Sequence, residues 1–454
     1  MTFPRSRTLF AALALSFLAS GIPAPVHAEA PSVSSPAIQQ APAAPANSAN
    51  SNEARTEIKA YTLPPALYDK AVKFSRAEYI LYFVDFVWGV VALLLVLRWL
   101  LAPRYRDFAE SASKRRFLQA AIYSPMLLLT LGILQLPTGI YGHWLTRSYG
   151  LSIQGWGSWM WDWTKGEIIS LIVGIFAVWI LYAIMRWSPR RWWFYFWVVT
   201  MIFIFIGTFL TPLVIDPMFN KFKPLESKDP ELVTALEKVV HRAGMDIPPD
   251  RMFWMQESAK GTEVDAYVTG LGASKRVVVW DTTIQKMTVP ETMYVFGHEM
   301  GHYVLNHVYK GLFFAAALSF VLIHLGFRGM LWLLSRWSGR WGIRSTDDWA
   351  SLPVLMLCVA IFGFLASPAV NGFSRYQEHH ADQYGLEVTH ELIPDSSQVA
   401  ARSFEILGEV DLADPAPNPF IRFWLFSHPP EAERVKFALT YNPWAEGKQP
   451  EFVK

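Results

Sequence analysis

The sequence has 454 residues, of which 52% are hydrophobic, 15% aromatic and only 17% charged, and 40 basic against 38 acidic side chains give a net charge of +2. Soluble domains average about 25% charged residues, so this composition indicates a membrane protein and excludes a disordered or collagen-like chain. The small net charge excludes a protein that gathers nucleic acid through a basic surface. Because Cys358 is the single cysteine, a bound metal would need His, Asp or Glu ligands.

The first 28 residues have the pattern of a secretory signal peptide. A basic start precedes an apolar run over residues 9–19, and the small residues Val26 and Ala28 stand where a signal peptidase would cleave. An uncleaved anchor is the alternative, although the run is short for a span of about 20 residues. Residues 29–78 are the predicted linker and juxtamembrane segment, since the Ala, Pro, Ser and Asn of its first part bury too little apolar surface to fold.

Six apolar segments follow, and each is close to the length that crosses about 30 Å of hydrocarbon as a helix. A buried soluble helix is the alternative for any one of them, but six in one chain favour membrane spans. We therefore predict a mainly α-helical, polytopic membrane protein, with four spans in a membrane domain over residues 79–213 and two within residues 312–370. The predicted spans are 79–101, 117–141, 168–187, 192–213, 312–334 and 352–370.

Basic residues near the span ends predict orientation, since cytoplasmic connections carry an excess of Lys and Arg. The first, third and fifth connections are rich in arginine, whereas the second carries only Arg147 and Lys165. We therefore expect the odd-numbered connections in the cytoplasm, and residues 214–311 and 371–454 outside it. Together with the signal peptide, this predicts a bacterial inner membrane with the soluble parts on the periplasmic side. The basic residues are Arg98, Arg104, Arg106, Lys114, Arg115 and Arg116, then Arg186, Arg190 and Arg191, then Arg336, Arg340 and Arg344.

Residues 214–311 and 371–454 are the two predicted soluble parts. The first has a helical pattern near residues 231–243. Two β-branched and aromatic runs, 265–271 and 276–281, are separated by a short connection that contains glycine, and they predict a β-hairpin.

The segment that begins at Thr288 has the signals of a well-formed helix. Thr288 suits the N-cap, Glu291 suits the reciprocal position of a capping box, and Pro290 fits an early helical position. We therefore predict that a helix begins here and continues through residue 302.

This helix carries the motif His298-Glu299-Met300-Gly301-His302. Histidines four residues apart lie on one helical face, one turn apart, where they can share a metal ion. Glu299 lies beside them, where it can accept a proton from water at the metal. The alternative is that the two histidines only satisfy local hydrogen bonds.

A catalytic zinc site needs three protein ligands and a water molecule. A third histidine on the same helix is one option, but Leu305 and Val308 occupy the glycine and histidine positions of that longer motif. His307 is one residue out of place, and we expect it to point elsewhere on the helix.

A glutamate from a second helix is the other option for the third ligand. Directly after the last span, Glu378 and Asp382 lie four residues apart on one helical face, so that Glu378 would bind metal and Asp382 would orient a ligand imidazole. His379 and His380 are rival ligands that project from other faces. The alternative for Glu378 is an exposed acid paired with Arg375.

The combined motifs resemble those of the integral-membrane CAAX prenyl protease family. The family's extra first span is missing here or is replaced by the signal peptide. The likeness extends over most of the chain from about residue 80. It rests on H-E-x-G-H at 298–302, F-S-R-x-x-E-x-x-A-D at 373–382, Ser427-His428-Pro429-Pro430, residues 216–225, and Ala266-Tyr267 with the hairpin.

The resemblance implies a zinc endopeptidase with one zinc ion per chain, whose spans enclose a water-filled chamber. Residues 214–311 and 371–454 would then be the two parts of its metalloprotease domain. The residues implied as zinc ligands are His298, His302 and Glu378, and Glu299 is implied as the general base.

Two further residues match positions with roles in the family. Asp382 matches an acid often described as a proton donor, although physical reasoning favours an orienting role. His428 matches a histidine that stabilises the oxyanion, and the structural alternative is a residue at a helix start. Arg375 would position the site or a substrate carboxylate. The hairpin edge at 266–270 would align the substrate, and Asp265 replaces the family's usual asparagine beside it.

The implied partners are the lipid bilayer and a polypeptide substrate, prenylated or membrane-associated, with no nucleic acid. A site on the outer face of a bacterial membrane would meet no prenylated CAAX protein, so a quality-control metalloprotease without prenyl specificity is the alternative. From another class, a transporter or non-catalytic binding protein could keep the same fold. A transporter should show matched halves with broken spans, and an inactive relative should lack a ligand or Glu299.

Overall fold

The computed structural model describes residues 57–270 and 275–453, without the side chains of residues 208, 209, 212 and 213. The predicted signal peptide and the first part of the predicted linker lie outside the described residues. The helices are α1 Pro65–Arg98, α2 Leu101–Ala112, α3 Arg116–Ser148, α4 Trp156–Trp187, α5 Trp192–Leu210, α6 Asp216–Phe219, α7 Pro230–Arg242, α8 Asp281–Lys286, α9 Val289–Val304, α10 His307–Trp337, α11 Leu352–Thr389, α12 Ser396–Val410, α13 Pro419–Leu425 and α14 Glu431–Thr440. The strands are β1 Phe222–Pro224, β2 Met252–Met255, β3 Ala266–Thr269 and β4 Arg276–Trp280.

Among the described residues, five helices are long and apolar enough to cross a membrane: α1, α3, α4, α10, and α11 with the turn that precedes it. The remaining predicted span, 192–213, corresponds to α5 and to the π-helical turn Thr211–Ile215. Its apolar stretch, Trp192–Gly207, is shorter than the other five. The mainly helical membrane fold is confirmed, with five full-length spans and one shorter apolar helix.

The first helix begins earlier than its hydrophobic run. The predicted span starts at residue 79, but α1 starts at Pro65 and its first part packs against the C-terminal soluble part. The Ser75 hydroxyl donates to the Leu412 carbonyl over 3.2 Å, and the Tyr79 hydroxyl donates to Asp414 Oδ2 over 3.0 Å. These polar contacts explain why the amphipathic start of α1 carries no span signal.

The soluble parts form one core around a four-stranded sheet with the strand order β1-β2-β4-β3. The predicted hairpin is present, since β3 and β4 pair antiparallel. The sheet is larger than predicted, because β2 pairs with β4 in parallel and β1 pairs with β2 antiparallel. β3 lies at the free edge of this sheet.

Candidate metal centre

The helix α9 begins as its sequence predicts. The Thr288 backbone N–H donates to Glu291 Oε2 over 2.7 Å at its first turn. One face of the helix carries His298 and His302, both buried, with their Nε2 atoms 3.1 Å apart. The potential ligand atoms of His298, Glu299 and His302 lie within 4.8 Å of one another.

Glu378 on α11 reaches the same point. Its Oε2 atom lies 3.1 Å from His298 Nε2, and its Oε1 atom lies 3.5 Å from His302 Nε2. The rival histidines have other neighbours: His379 packs on Phe437, and His380 Nδ1 lies 2.7 Å from the Tyr376 carbonyl. Two separate helices therefore bring together the three ligands that the family resemblance implies.

Three glycines allow α9 and α11 to approach this closely. A Cβ atom at Gly297 would lie 2.9 Å from Val388 Cγ1, and one at Gly301 would lie 2.9 Å from Tyr384 Cβ. A Cβ atom at Gly385 would lie 3.1 Å from the backbone nitrogen of His298. Glycine at these positions removes side-chain bulk between the helices, and the helix crossing sets the distance between Glu378 and the two imidazoles.

Asp382 holds the outer nitrogen of His298. Its Oδ1 atom lies 2.8 Å from His298 Nδ1, which leaves Nε2 directed at the other ligands. Arg434, on α14, binds the same carboxylate through Nε at 3.0 Å and Nη2 at 2.7 Å. Burial lowers the pKa of Arg434, but the charges of Asp382 and Glu431 outweigh that effect and raise this pKa above its ordinary value. Asp382 is thus a fully paired, buried carboxylate, which supports the orienting role over that of a proton donor.

His307 contacts the outer nitrogen of His302, as Asp382 contacts the outer nitrogen of His298. Its Nδ1 atom lies 3.1 Å from His302 Nδ1, so the expectation that it points elsewhere is wrong. The helix does not continue through this residue: α9 ends at Val304, Asn306 adopts a left-handed conformation with φ 58°, and α10 begins at His307. This break turns the chain so that His307 returns to His302.

Glu299 is buried beside the ligands, with Oε1 3.9 Å from His298 Nε2. This distance keeps its carboxylate next to the converging nitrogens. A water molecule between Glu299 and the ligand atoms would lie within hydrogen-bond reach of this carboxylate.

His428 closes the other side of the site. Its Nε2 atom lies 3.2 Å from Glu378 Oε2, and its Nδ1 atom lies 3.0 Å from the Ser427 hydroxyl. The segment before it is held by α11: Asn371 Nδ2 donates to the Trp424 carbonyl over 2.6 Å, and Arg375 donates to the Phe426 carbonyl. Arg375 is therefore engaged with this segment, and the alternative that it pairs with Glu378 finds no support.

The donor set fits a divalent metal ion. Two imidazole nitrogens and one carboxylate are a common catalytic combination for such ions. The buried Glu378 Oε2 has no hydrogen-bond partner among the described residues, although ring nitrogens of His298 and His428 lie within 3.2 Å of it. An orphaned acid oxygen among converging nitrogen atoms is the arrangement that a cation would complete.

Arg434 and His307 are the site residues that sequence reasoning missed. Nothing in the sequence pairs Arg434 with Asp382, because the two residues are 52 positions apart in the chain. His307 was visible in the sequence, and only the left-handed Asn306 brings it to His302.

Both halves of the chain match known protein families. Residues 226–442 match the model of peptidase family M48, and residues 48–221 match the model described as CAAX prenyl protease N-terminal, five membrane helices. The chain is 32% identical over 383 residues to the metalloprotease YhfN of Bacillus subtilis, covering 83% of this chain and 86% of that protein. It is 26% identical over 413 residues to CAAX prenyl protease 1 of Saccharomyces cerevisiae, covering 84% and 88% respectively. The crystal structure of S. mikatae Ste24p has a similar fold, with a TM-score of 0.70 at 23% identity over 83% of this chain and 91% of that one.

Proposed function

The chain belongs to the CAAX prenyl protease family of M48 peptidases and is a membrane-embedded metalloprotease, and we propose that it hydrolyses peptide bonds with one zinc ion per chain held by His298, His302 and Glu378. The observation that carries this proposal is the convergence of Glu378 on both imidazoles, with Glu299 beside them. Zinc in such a site supplies Lewis-acid chemistry, making water more acidic and polarising a peptide carbonyl.

Each neighbouring side chain then has a distinct task. A carboxylate oxygen of Glu299 accepts the proton of the attacking water and later delivers it to the leaving amine. His428 donates a hydrogen bond to the carbonyl oxygen as negative charge develops there. Asp382 and His307 bind the outer nitrogens of His298 and His302, which keeps the inner nitrogens directed at the metal.

The free edge of β3 is the proposed guide for the substrate. The Trp280 N–H donates to the Asp265 carbonyl over 3.0 Å, so backbone groups of odd-numbered residues in β3 face β4. The N–H and C=O groups of Ala266 and Val268 therefore face away from β4. An extended peptide can pair with such an edge as an added strand.

We propose that the substrate is a polypeptide presented from the membrane, and that the site lies on the periplasmic side of a bacterial inner membrane. The first and fifth connections share a side, since Arg106 Nη1 lies 2.6 Å from Asp348 Oδ2. The second connection contacts the protease domain instead, because the Ile153 N–H donates to the Lys260 carbonyl over 2.9 Å. The arginine-rich first and fifth connections thus lie away from the second connection and the protease domain that it contacts, and their excess of positive charge favours the cytoplasm for them.

A paired-peptide assay tests the function and its runner-up. Zinc-loaded protein in lipid nanodiscs is incubated with matched farnesylated and unmodified peptides, and the products are identified by mass spectrometry. Cleavage that stops on chelation and returns with zinc is the expected result. Preference for the farnesylated peptide would favour prenyl specificity, equal cleavage would favour a quality-control protease, and no cleavage of any peptide would contradict the proposal.

A further inference from the structure

A cleft of about 330 Å³ lies beside the metal centre, between α11, α13 and α14. Five charged residues line the cleft: the arginines Arg375, Arg422 and Arg434, and the acids Asp382 and Glu433. The basic groups therefore outnumber the acidic groups. The cleft offers a concave, positively charged site outside the ligand set of the metal.

The two carboxylates are already paired with two of the arginines. Asp382 binds the buried Arg434, and Glu433 binds Arg422. Arg375 has no carboxylate within ion-pair distance among the described residues, and its described hydrogen bonds go to the carbonyls of Arg422 and Phe426. The uncompensated charge of the cleft is therefore centred on Arg375.

The packing of the short helix α13 indicates the depth of this cleft relative to the membrane. The Phe420 ring lies 6.3 Å from that of Phe83 on α1, and the Trp424 ring lies 5.1 Å from that of Phe364 on α11. These neighbours belong to the first and last predicted spans, close to the ends at residues 79 and 370. Because α13 packs across both predicted span ends, its level corresponds to the predicted boundary between hydrocarbon and headgroups.

Exposed aromatic side chains on α13 also favour a position of this helix at the membrane interface. Phe420 is 57% exposed and Phe423 is 54% exposed, although both are large and apolar. Aromatic residues at span ends mark the membrane interface, and a helix that presents them lies in its plane. Arg422 is on the same helix, and Arg375 follows Val370 by little more than one turn of α11.

We propose that this cleft binds the phosphate group of an anionic phospholipid, with the acyl chains of the lipid beside Phe420 and Phe423. The planar guanidinium groups of Arg375 and Arg422 match phosphate oxygens, and both groups stand at headgroup level. Basic pockets at this level bind anionic headgroups in membrane proteins. The Asp382–Arg434 pair separates the cleft from His298, so that the lipid does not enter the metal centre.

Two substitutions change the net charge of the cleft in opposite directions. Arg422→Gln removes one guanidinium group and keeps the backbone carbonyl that Arg375 binds. Glu433→Gln removes the carboxylate that pairs with Arg422 and leaves that arginine available to phosphate. Arg336→Gln is the matched control, because Arg336 is an arginine in the last turn of α10, at the opposite ends of the spans.

The experiment measures lipid retention and does not depend on proteolysis. Each protein is reconstituted in nanodiscs of phosphatidylcholine with phosphatidylglycerol and released into detergent, and the retained lipids are counted by native mass spectrometry. We expect R422Q to retain phosphatidylglycerol roughly fivefold to tenfold less than wild type, E433Q to retain more, and R336Q to match wild type. Equal retention by all four proteins overturns the proposal.

A second arm identifies the source of the phosphate group. Inorganic phosphate is added to the detergent-solubilised proteins without phosphatidylglycerol, and thermal unfolding is followed. The lipid proposal expects no shift in melting temperature that depends on Arg422. Stabilisation of wild type but not of R422Q, without retention of phosphatidylglycerol, would assign the cleft to free phosphate and overturn the lipid proposal.

Discussion

Arg434 binds Asp382 through two nitrogen atoms, with Nε 3.0 Å from Oδ2 and Nη2 2.7 Å from Oδ1, and both side chains are buried. The same Oδ1 atom lies 2.8 Å from His298 Nδ1. A residue of α14 thereby acts on a proposed metal ligand of α9 through an acid of α11. The site consequently depends on a third helix that carries none of the proposed ligands.

The Arg434→Met substitution tests this dependence. Loss of the guanidinium leaves a buried carboxylate without its charged partner, so we expect a loss of roughly 3–5 kcal/mol in the free energy of unfolding. Zinc affinity should fall roughly 10-fold to 100-fold, because His298 loses its fixed orientation. Chelator competition measures the affinity, and denaturant unfolding measures the stability. Lys448→Gln, which removes a solvent-exposed ion pair with Glu446, is the control and should change the free energy of unfolding very little. Zinc affinity unchanged in R434M would contradict the role of Arg434.

Glu299→Gln tests the proposed base. The amide keeps the size of the side chain but cannot accept a proton, so we expect normal zinc content and a fall in peptide cleavage of roughly 100-fold to 10,000-fold. Metal analysis and a peptide assay on the same preparation measure both quantities. The partly exposed Glu409→Gln is the control and should retain full activity. Substantial turnover by purified E299Q would remove Glu299 from the mechanism.

Gly301→Ala tests the close approach of α9 and α11. The added Cβ would lie 2.9 Å from Tyr384 Cβ, so the helices must separate, at a cost of roughly 1–3 kcal/mol. We also expect weaker zinc binding, because Glu378 moves away from the imidazoles. Gly311→Ala on α10 is the matched control, since nothing lies within 4 Å of its added Cβ. If both alanine variants bind zinc equally well, the crossing does not set the ligand distance.

Removal of residues 450–454 tests the contact between the C-terminal segment and Glu387 on α11. The buried Glu387 accepts the backbone N–H groups of Glu451, Phe452 and Val453 over 3.1, 2.6 and 2.8 Å. Truncation leaves this carboxylate short of donors, and we expect a loss of roughly 2–5 kcal/mol in the free energy of unfolding.

A second substitution separates the carboxylate from the rest of the segment. In the truncated protein, Glu387→Met should restore part of the lost stability, because it removes the orphaned charge. Denaturant unfolding of the four proteins in this cycle gives the coupling energy between Glu387 and the segment. A coupling energy near zero would show that Glu387 does not depend on the C-terminal residues.

Cysteine labelling tests the orientation in the membrane. The native Cys358 is buried, so single cysteines can be introduced with little background. An impermeant maleimide added to spheroplasts should label Glu237→Cys, an exposed position on α7, but not Arg340→Cys in the fifth connection. Lysed cells should label both. Selective labelling of R340C in spheroplasts would reverse the proposed topology.

Local patterns in the sequence predict much of this molecule. The spans follow from apolar length, the start of α9 follows from Thr288 and Glu291, and the spacing of four places His298 and His302 on one face. Glu378 and Asp382 follow from the same helical period. These features depend on residues a few positions apart, where one helix fixes the geometry.

The remaining features depend on contacts between distant segments. The pairing of Arg434 with Asp382, the parallel pairing of β2 with β4 and the packing of the start of α1 on Leu412 join residues far apart in the chain. A single backbone angle at Asn306 decides where His307 points. No local period in the sequence carries this information.

The helix α11 is continuous from the last predicted span to Glu378, and its length therefore sets the height of the proposed metal centre above the predicted end of that span. Glu378 lies about eight residues beyond Val370, which is about 12 Å at the rise of an α-helix. An extended peptide covers that height with roughly four residues. A polypeptide whose end is anchored in the same leaflet would thus meet the proposed catalytic groups at a bond only a few residues from its anchor. The length of one rigid helix would then determine which bond that is.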